Sequence, residues 1–104
     1  MLRRPPTLDE TFRALADPTR RAILEHLERG PVGASALAAH FDMALPSFMQ
    51  HLAILEQCGL VRSMKLGRIR MYRLVPKALR NANAWLGKRH RASSPRRRQP
   101  RPEP

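Results

Sequence analysis

Apolar side chains recur at helical spacing in five stretches of this chain, and two shorter stretches between residues 61 and 74 read as strands. Leu8, Phe12 and Leu15 line a first helix, which Thr7 and Glu10 open as a capping box. Asp17-Pro18 opens a second, with the aspartate as N-cap and the proline in the first helical position. Ala22, Ile23, Leu24 and Leu27 form its apolar face, and Gly30-Pro31 ends it. Ser35 caps a short third helix carrying Leu37, Ala38 and Phe41. In the fourth, from about Leu45 to Gln57, Phe48, Leu52 and Leu55 fall at i, i+4 and i+7 and face a core. Gly59 stands where a C-terminal glycine belongs. Val61 to Lys65 and Ile69 to Leu74 flank Leu66-Gly67-Arg68, where glycine permits a positive φ in the turn. A last helix, from about Pro76 to His90, carries Leu79, Ala82, Trp85 and Leu86 on one side, and Val32-Gly33 leaves room for a short extra strand. The expected fold is mainly α with a small β-hairpin, ordered α-α-α-α-β-β-α.

A short helix, a tight turn and a second helix with polar residues outward is how a small domain puts side chains into a DNA major groove. A basic hairpin beside it adds phosphate or minor-groove contacts. The third and fourth helices with the Gly67 hairpin therefore read as a winged helix-turn-helix. Charge extends the reading from fold to partner. The 104 residues suffice for one domain, and their net charge of +12, from 20 Lys and Arg against 8 Asp and Glu, calls for a polyanion, with nucleic acid ahead of an anionic membrane. Half of that charge lies in residues 88–104, where seven cations face only Glu103. Residues 1–6 read as a loose basic leader, 7–90 as the folded domain, and 91–104 as a disordered Arg/Pro-rich tail. Cys58 is the only cysteine, which rules out an intrachain disulfide framework. No long apolar run follows Arg3-Arg4, and no stretch approaches the ~18 apolar residues of a membrane span. A cytoplasmic protein without a membrane partner is expected.

These residues resemble a known family. Leu15-Ala16-Asp17-Pro18-Thr19-Arg20-Arg21-Ala22-Ile23-Leu24 is similar to the start of the second helix in ArsR-type winged-helix repressors. Pro46, His51, Leu52, Leu55, Gly59, Leu60 and Val61 fit that family's recognition helix, and Gly67-Arg68 with Tyr72 fit its wing. The likeness runs in one register over roughly residues 8–88. It implies a homodimeric transcriptional repressor of bacterial or archaeal type, paired through its first and last helices. Two positions depart from the pattern. Ala44 replaces the usual Ser or Thr cap of the recognition helix, and Met49 replaces a usual serine on the groove-facing side.

On this reading the DNA-contacting residues are Pro46, Ser47, Met49, Gln50 and His51 on the recognition helix. Glutamine can read adenine through N6 and N7, while serine and histidine donate to phosphates or base edges. Of the hairpin cations Arg62, Lys65, Arg68, Arg70 and Arg73, the tip residue Arg68 and its neighbours Lys65 and Arg70 complete the set. The alternative for the helix is an ordinary solvated face, and for the hairpin, charge that keeps an edge strand from aggregating. Tyr72 is read as strand packing, and Cys58 as a small helix-end residue. Leu79, Ala82, Trp85 and Leu86 fit either the protomer core or a dimer seam, but about 80 foldable residues rarely supply more than ~3–5 kcal/mol of core, so they and Leu8, Phe12 and Leu15 are assigned to the seam. Metal-sensing members of the family carry a Cys-x-Cys pair or spaced Asp and His ligands on the last helix. This chain offers Cys58 alone, its last helix has only His90, and His26, His40 and His51 lack companions at ligand spacing, so no metal and no cofactor is expected. Phosphate loops, nucleophile motifs and paired carboxylates are missing, so no enzyme is expected either. Two rival functions stay open on sequence alone: a non-specific nucleic-acid binder driven by the tail, and a winged helix that binds a partner protein.

Overall fold

The computed structural model describes residues 5–93. Its elements run α1 (Leu8–Leu15), α2 (Pro18–His26), β1 (Val32–Gly33), α3 (Ala34–Ala38), α4 (Leu45–Gln57), β2 (Val61–Leu66), β3 (Ile69–Leu74) and α5 (Pro76–Ser93). Local chemistry sets the helix ends. The Thr7 hydroxyl accepts from the Glu10 N–H at 3.1 Å and the Glu10 carboxylate accepts from the Thr7 N–H at 2.9 Å, so the capping box closes from both sides. The Asp17 carboxylate accepts from the Arg20 N–H at 3.0 Å, with Pro18 in the first turn of α2. α4 ends in a Schellman motif: Leu60 N–H donates to the Leu55 carbonyl at 2.9 Å and Gly59 N–H to Glu56 at 3.0 Å. Gly59 takes φ +72° there, and Leu55 and Leu60, the positions that meet across such a cap, are both fully buried.

The three strands pair antiparallel in the order β1-β3-β2. Val32 and Ser63 flank Tyr72 from either side, and Leu66 pairs with Ile69. That register leaves Gly67-Arg68 as a two-residue turn, with Gly67 at φ +62°, the pattern of a type II′ hairpin. The core gathers Phe48, Leu52 and Leu55 of α4 against Ile23, Leu37 and Val61. Each such side chain contributes about 1.5–3 kcal/mol over its exposed state. α2 packs on α4, and α1 packs on both α2 and α5.

Three helix boundaries differ from the expectations. α2 stops at His26, and residues 27–29 turn before Gly30. Ser35 is not a cap: Gly33 is the N-cap of α3, without a capping side chain, because pairing with Met71 holds Gly33 extended up to the helix start. α5 continues through Arg91, Ala92 and Ser93, which the sequence reading had given to the tail, since this stretch is made mostly of good helix formers. The remainder of the tail lies outside the described residues. Within the leader, Pro6 packs against Gly59, whose added Cβ would stand 3.3 Å from the proline Cγ. Residues 1–4 are outside the described range.

Candidate nucleic-acid interface

α4 presents Pro46, Ser47 and Gln50 to solvent, with Ala53 on the next turn. Phe48, Leu52 and Leu55 occupy the opposite side, so the 3.6-residue period fixes which residues point outward. Ala44 leaves the helix start without a side-chain cap. Two of the five expected residues sit elsewhere. Met49 is half-buried and packs against the core, so its thioether does not stand on the outer face. His51 is also half-buried, with Nδ1 at 3.2 Å from Arg20 Nη1 and 3.8 Å from Asp17 Oδ2. A guanidinium only donates, so whenever the ring is neutral Nδ1 is the acceptor in this contact and Nε2 carries the proton.

That contact belongs to a junction of three helices. Arg20 Nε donates to the Ala14 carbonyl at 2.8 Å and Nη2 to Arg13 at 3.2 Å, and Arg21 Nη1 donates to Leu15 at 2.7 Å. These carbonyls lie in the last turn of α1, where the i+4 donors of the helix run out; Arg13 also accepts from the Ala16 N–H at 3.3 Å. Asp17, Arg20 and His51 thus lock the α1–α2 corner to the side of α4. The Arg20 N–H holds the Asp17 carboxyl below the usual carboxylate range, burial opposes it, and the neighbouring His51 and Arg20 charges assist.

The hairpin has two unlike faces. Lys65 and Arg70 pair across one of them, and Arg68 stands at the tip. Lys65 and Arg68 are exposed, and neither has an ion-pair partner among the described residues. Arg70 is tethered instead: its Nη1 donates to Ser63 Oγ at 3.1 Å, and that hydroxyl donates to Glu56 Oε2 at 2.9 Å. The chain of bonds ties the hairpin to α4. On the other face Met64, Leu66 and Ile69 are each more than half exposed. The sequence reading missed this apolar face, although the alternation Met64-x-Leu66 and Ile69-x-Met71 signals it. Tyr72 is buried in the core, and that burial pushes its phenol up.

Among the seven residues assigned to a dimer seam, Ala82 is only 3% exposed and so lies inside the protomer; a small side chain there suits close helix packing. Leu15 and Leu79 pack partly against the protomer's own core. Leu8 and Phe12 are half-buried, Phe12 meeting Trp85 edge-on at 5.9 Å. Trp85 and Leu86 remain 41% and 50% exposed, with the Arg89 guanidinium 4.5 Å over the indole. Cys58 is buried, its Sγ 3.4 Å from the Glu10 carbonyl, and burial raises its thiol. No group of three His, Cys, Asp or Glu among the described residues is placed to hold a metal ion, and no helix there is long and apolar enough to cross a membrane.

Residues 15–63, from the end of α1 into β2, match the helix-turn-helix domain family. The transcriptional repressor SdpR of Bacillus subtilis is 34% identical over 79 residues, covering 76% of this chain and 88% of SdpR. A solved crystal structure of an ArsR family transcriptional regulator superposes with a TM-score of 0.78 at 46% identity, over 86% of this chain and 92% of that one. The chain belongs to the ArsR family. Another relative, the HTH-type transcriptional regulator Rv2034 of Mycobacterium tuberculosis, is 41% identical over 71 residues, 68% of this chain and 66% of its own length. As an ArsR-family regulator the chain is a non-enzymatic, DNA-binding helix-turn-helix protein. Its winged fold follows the same family architecture, with β1 as the third strand of the sheet.

Proposed function

We propose that this ArsR-family chain is a homodimeric repressor that acts in the cytoplasm by occluding a promoter. The N-terminal half of α4 enters the major groove, where Gln50 reads an adenine edge and Ser47 donates to a base or phosphate. Lys65 and Arg68 hold the flanking phosphates or minor groove, and Arg70 supports them from the wing base. His51 acts from within the three-helix junction, fixing the angle of α4. Trp85 and Leu86, with the edges of Leu8 and Phe12, form the seam with a second copy. Two-fold pairing sets the recognition helices about one DNA turn, ~34 Å, apart and matches a pseudo-palindromic operator.

The observation that carries this reading is that α4 exposes Ser47 and Gln50 while the wing carries the exposed cations Lys65 and Arg68, which have no ion-pair partner among the described residues. The test is fluorescence anisotropy of the full chain at about 150 mM salt. DNA from upstream of its own gene is compared with a shuffled duplex of equal composition. A preference of ~10³ or more is expected, within the usual range for specific binders. Gln50→Ala should cost about 1–3 kcal/mol of that discrimination. Equal affinity for both duplexes, lost when Arg96, Arg97 and Arg98 are changed to Gln, would make the tail the binder and sink the proposal.

A further inference from the structure

A second concave site lies away from the proposed DNA-reading residues. It is a cleft of about 430 Å³ between the leader, α1, the C-terminal end of α4, the start of β2 and the first turns of α5. Pro6, Leu8, Val75 and Ala78 give it apolar walls. Gln57, Arg62, Lys77 and Asn81 bring polar groups to the same cleft. No Asp or Glu lines it, and neither Arg62 nor Lys77 has an ion-pair partner among the described residues. A cleft of this size that sets apolar walls beside polar groups has the form of a small-molecule site. Two unpaired cations at its edge select an anionic head group, with the Gln57 and Asn81 amides free to complete its hydrogen bonds.

Position argues against a phosphate-backbone contact. Gln57 is ~16 Å along α4 from Pro46 at about 1.5 Å per residue. Arg62 is ~16 Å along β2 from the wing tip at Gly67, at about 3.3 Å per residue. The cleft touches all four elements whose relative placement matters for an operator: α4 and β2, which carry the DNA-reading residues, and α1 and α5, which carry the dimer seam. A ligand wedged there would alter how the two pairs sit.

We propose that this cleft is an effector site for a small organic anion with an apolar body and one carboxylate or phosphate head. Binding itself stands apart from the DNA reading, whereas the effector role rests on it. The two are therefore measured separately. Isothermal titration of the full chain, without DNA, uses octanoate, octyl phosphate, octanol and octylamine as probes. At least one of the two anions should bind saturably below about 1 mM, and the tighter of them identifies the head group. Octanol and octylamine should bind at least tenfold more weakly. Arg62→Gln with Lys77→Gln, both exposed and unpaired, should weaken the anion at least tenfold with the thermal melt unchanged. Absence of saturable anion binding, octanol binding equal to the anions, or anion binding unchanged in the double variant would each overturn the site.

The effector role is read by anisotropy on an operator duplex. A saturating anion should shift DNA affinity of the wild type by at least about fivefold, a typical allosteric coupling, and leave the double variant unmoved. Unchanged DNA affinity beside demonstrated anion binding would overturn the effector role and keep the site.

Discussion

Arg20 is where α1, α2 and α4 meet: its backbone N–H is held by Asp17 while its side chain reaches two α1 carbonyls and His51. A planar fork can span these partners; a lysine ammonium cannot. Arg20→Ala should therefore lower the free energy of urea unfolding by about 2–3 kcal/mol, the cost of stripping charged hydrogen bonds, and Arg20→Lys should recover little of it. Asp17 gives the junction a pH dependence. Its carboxyl titrates lower in the folded chain than the ordinary value of 3.8, so its contribution is complete above that value and is lost as the pH falls through the lowered one. Asp17→Asn keeps a capping oxygen but no charge. The wild type should lead it by about 0.3–1 kcal/mol near pH 7, with the gap closing below pH 4 in denaturation curves. At this scale the sequence was half legible. Asp17-Pro18 announces a helix start by local rules, but the bond from Arg20 to a histidine 31 residues later depends on how α2 docks on α4. His51 was therefore read as part of the outer face.

Among the elements, α4 has the more instructive pair of ends. Its C-terminus is closed by Gly59 and buried Leu60, whereas its N-terminus at Ala44 has no side-chain cap. Ala44→Ser should stabilise the chain by about 0.5–2 kcal/mol in thermal or urea unfolding; no gain would mean that the N–H groups already have other partners. Elements held by local chemistry were legible: the capping box at Thr7, the Asp17 cap, the core stripe of α4 and the Gly67 turn all follow from residues within one or two helical turns. The start of α3 was not, because it is set by Gly33 pairing with Met71 across the sheet. Burial of Met49 was hidden for a similar reason. The period of α4 leaves it on the margin of the apolar face, and only the neighbouring helices decide which way such a residue turns.

At the scale of the whole molecule, the protomer leaves an aromatic–aliphatic patch on α5 at the place where the α1–α5 packing reaches the surface. If two copies pair there, sedimentation of the wild type should give a dimer at micromolar concentration. Trp85→Ala with Leu86→Glu should give a monomer of unchanged helicity. Ala82, read from its spacing as part of the same seam, belongs to the protomer interior, since period alone does not tell an intramolecular helix contact from an intermolecular one. Charge adds a second expectation. Each phosphate neutralised contributes about −0.9 to the log–log salt slope, so Arg68→Ala should flatten the slope by roughly one and leave base preference intact. The central claim, that two copies of α4 read two related half-sites, is tested most directly by selecting duplexes from a random library with the full chain. The account predicts enrichment of an inverted repeat whose half-sites are centred about 10–10.5 base pairs, or a multiple of that, apart. A selected pool with no shared sequence, or with a single unrepeated half-site, would contradict it.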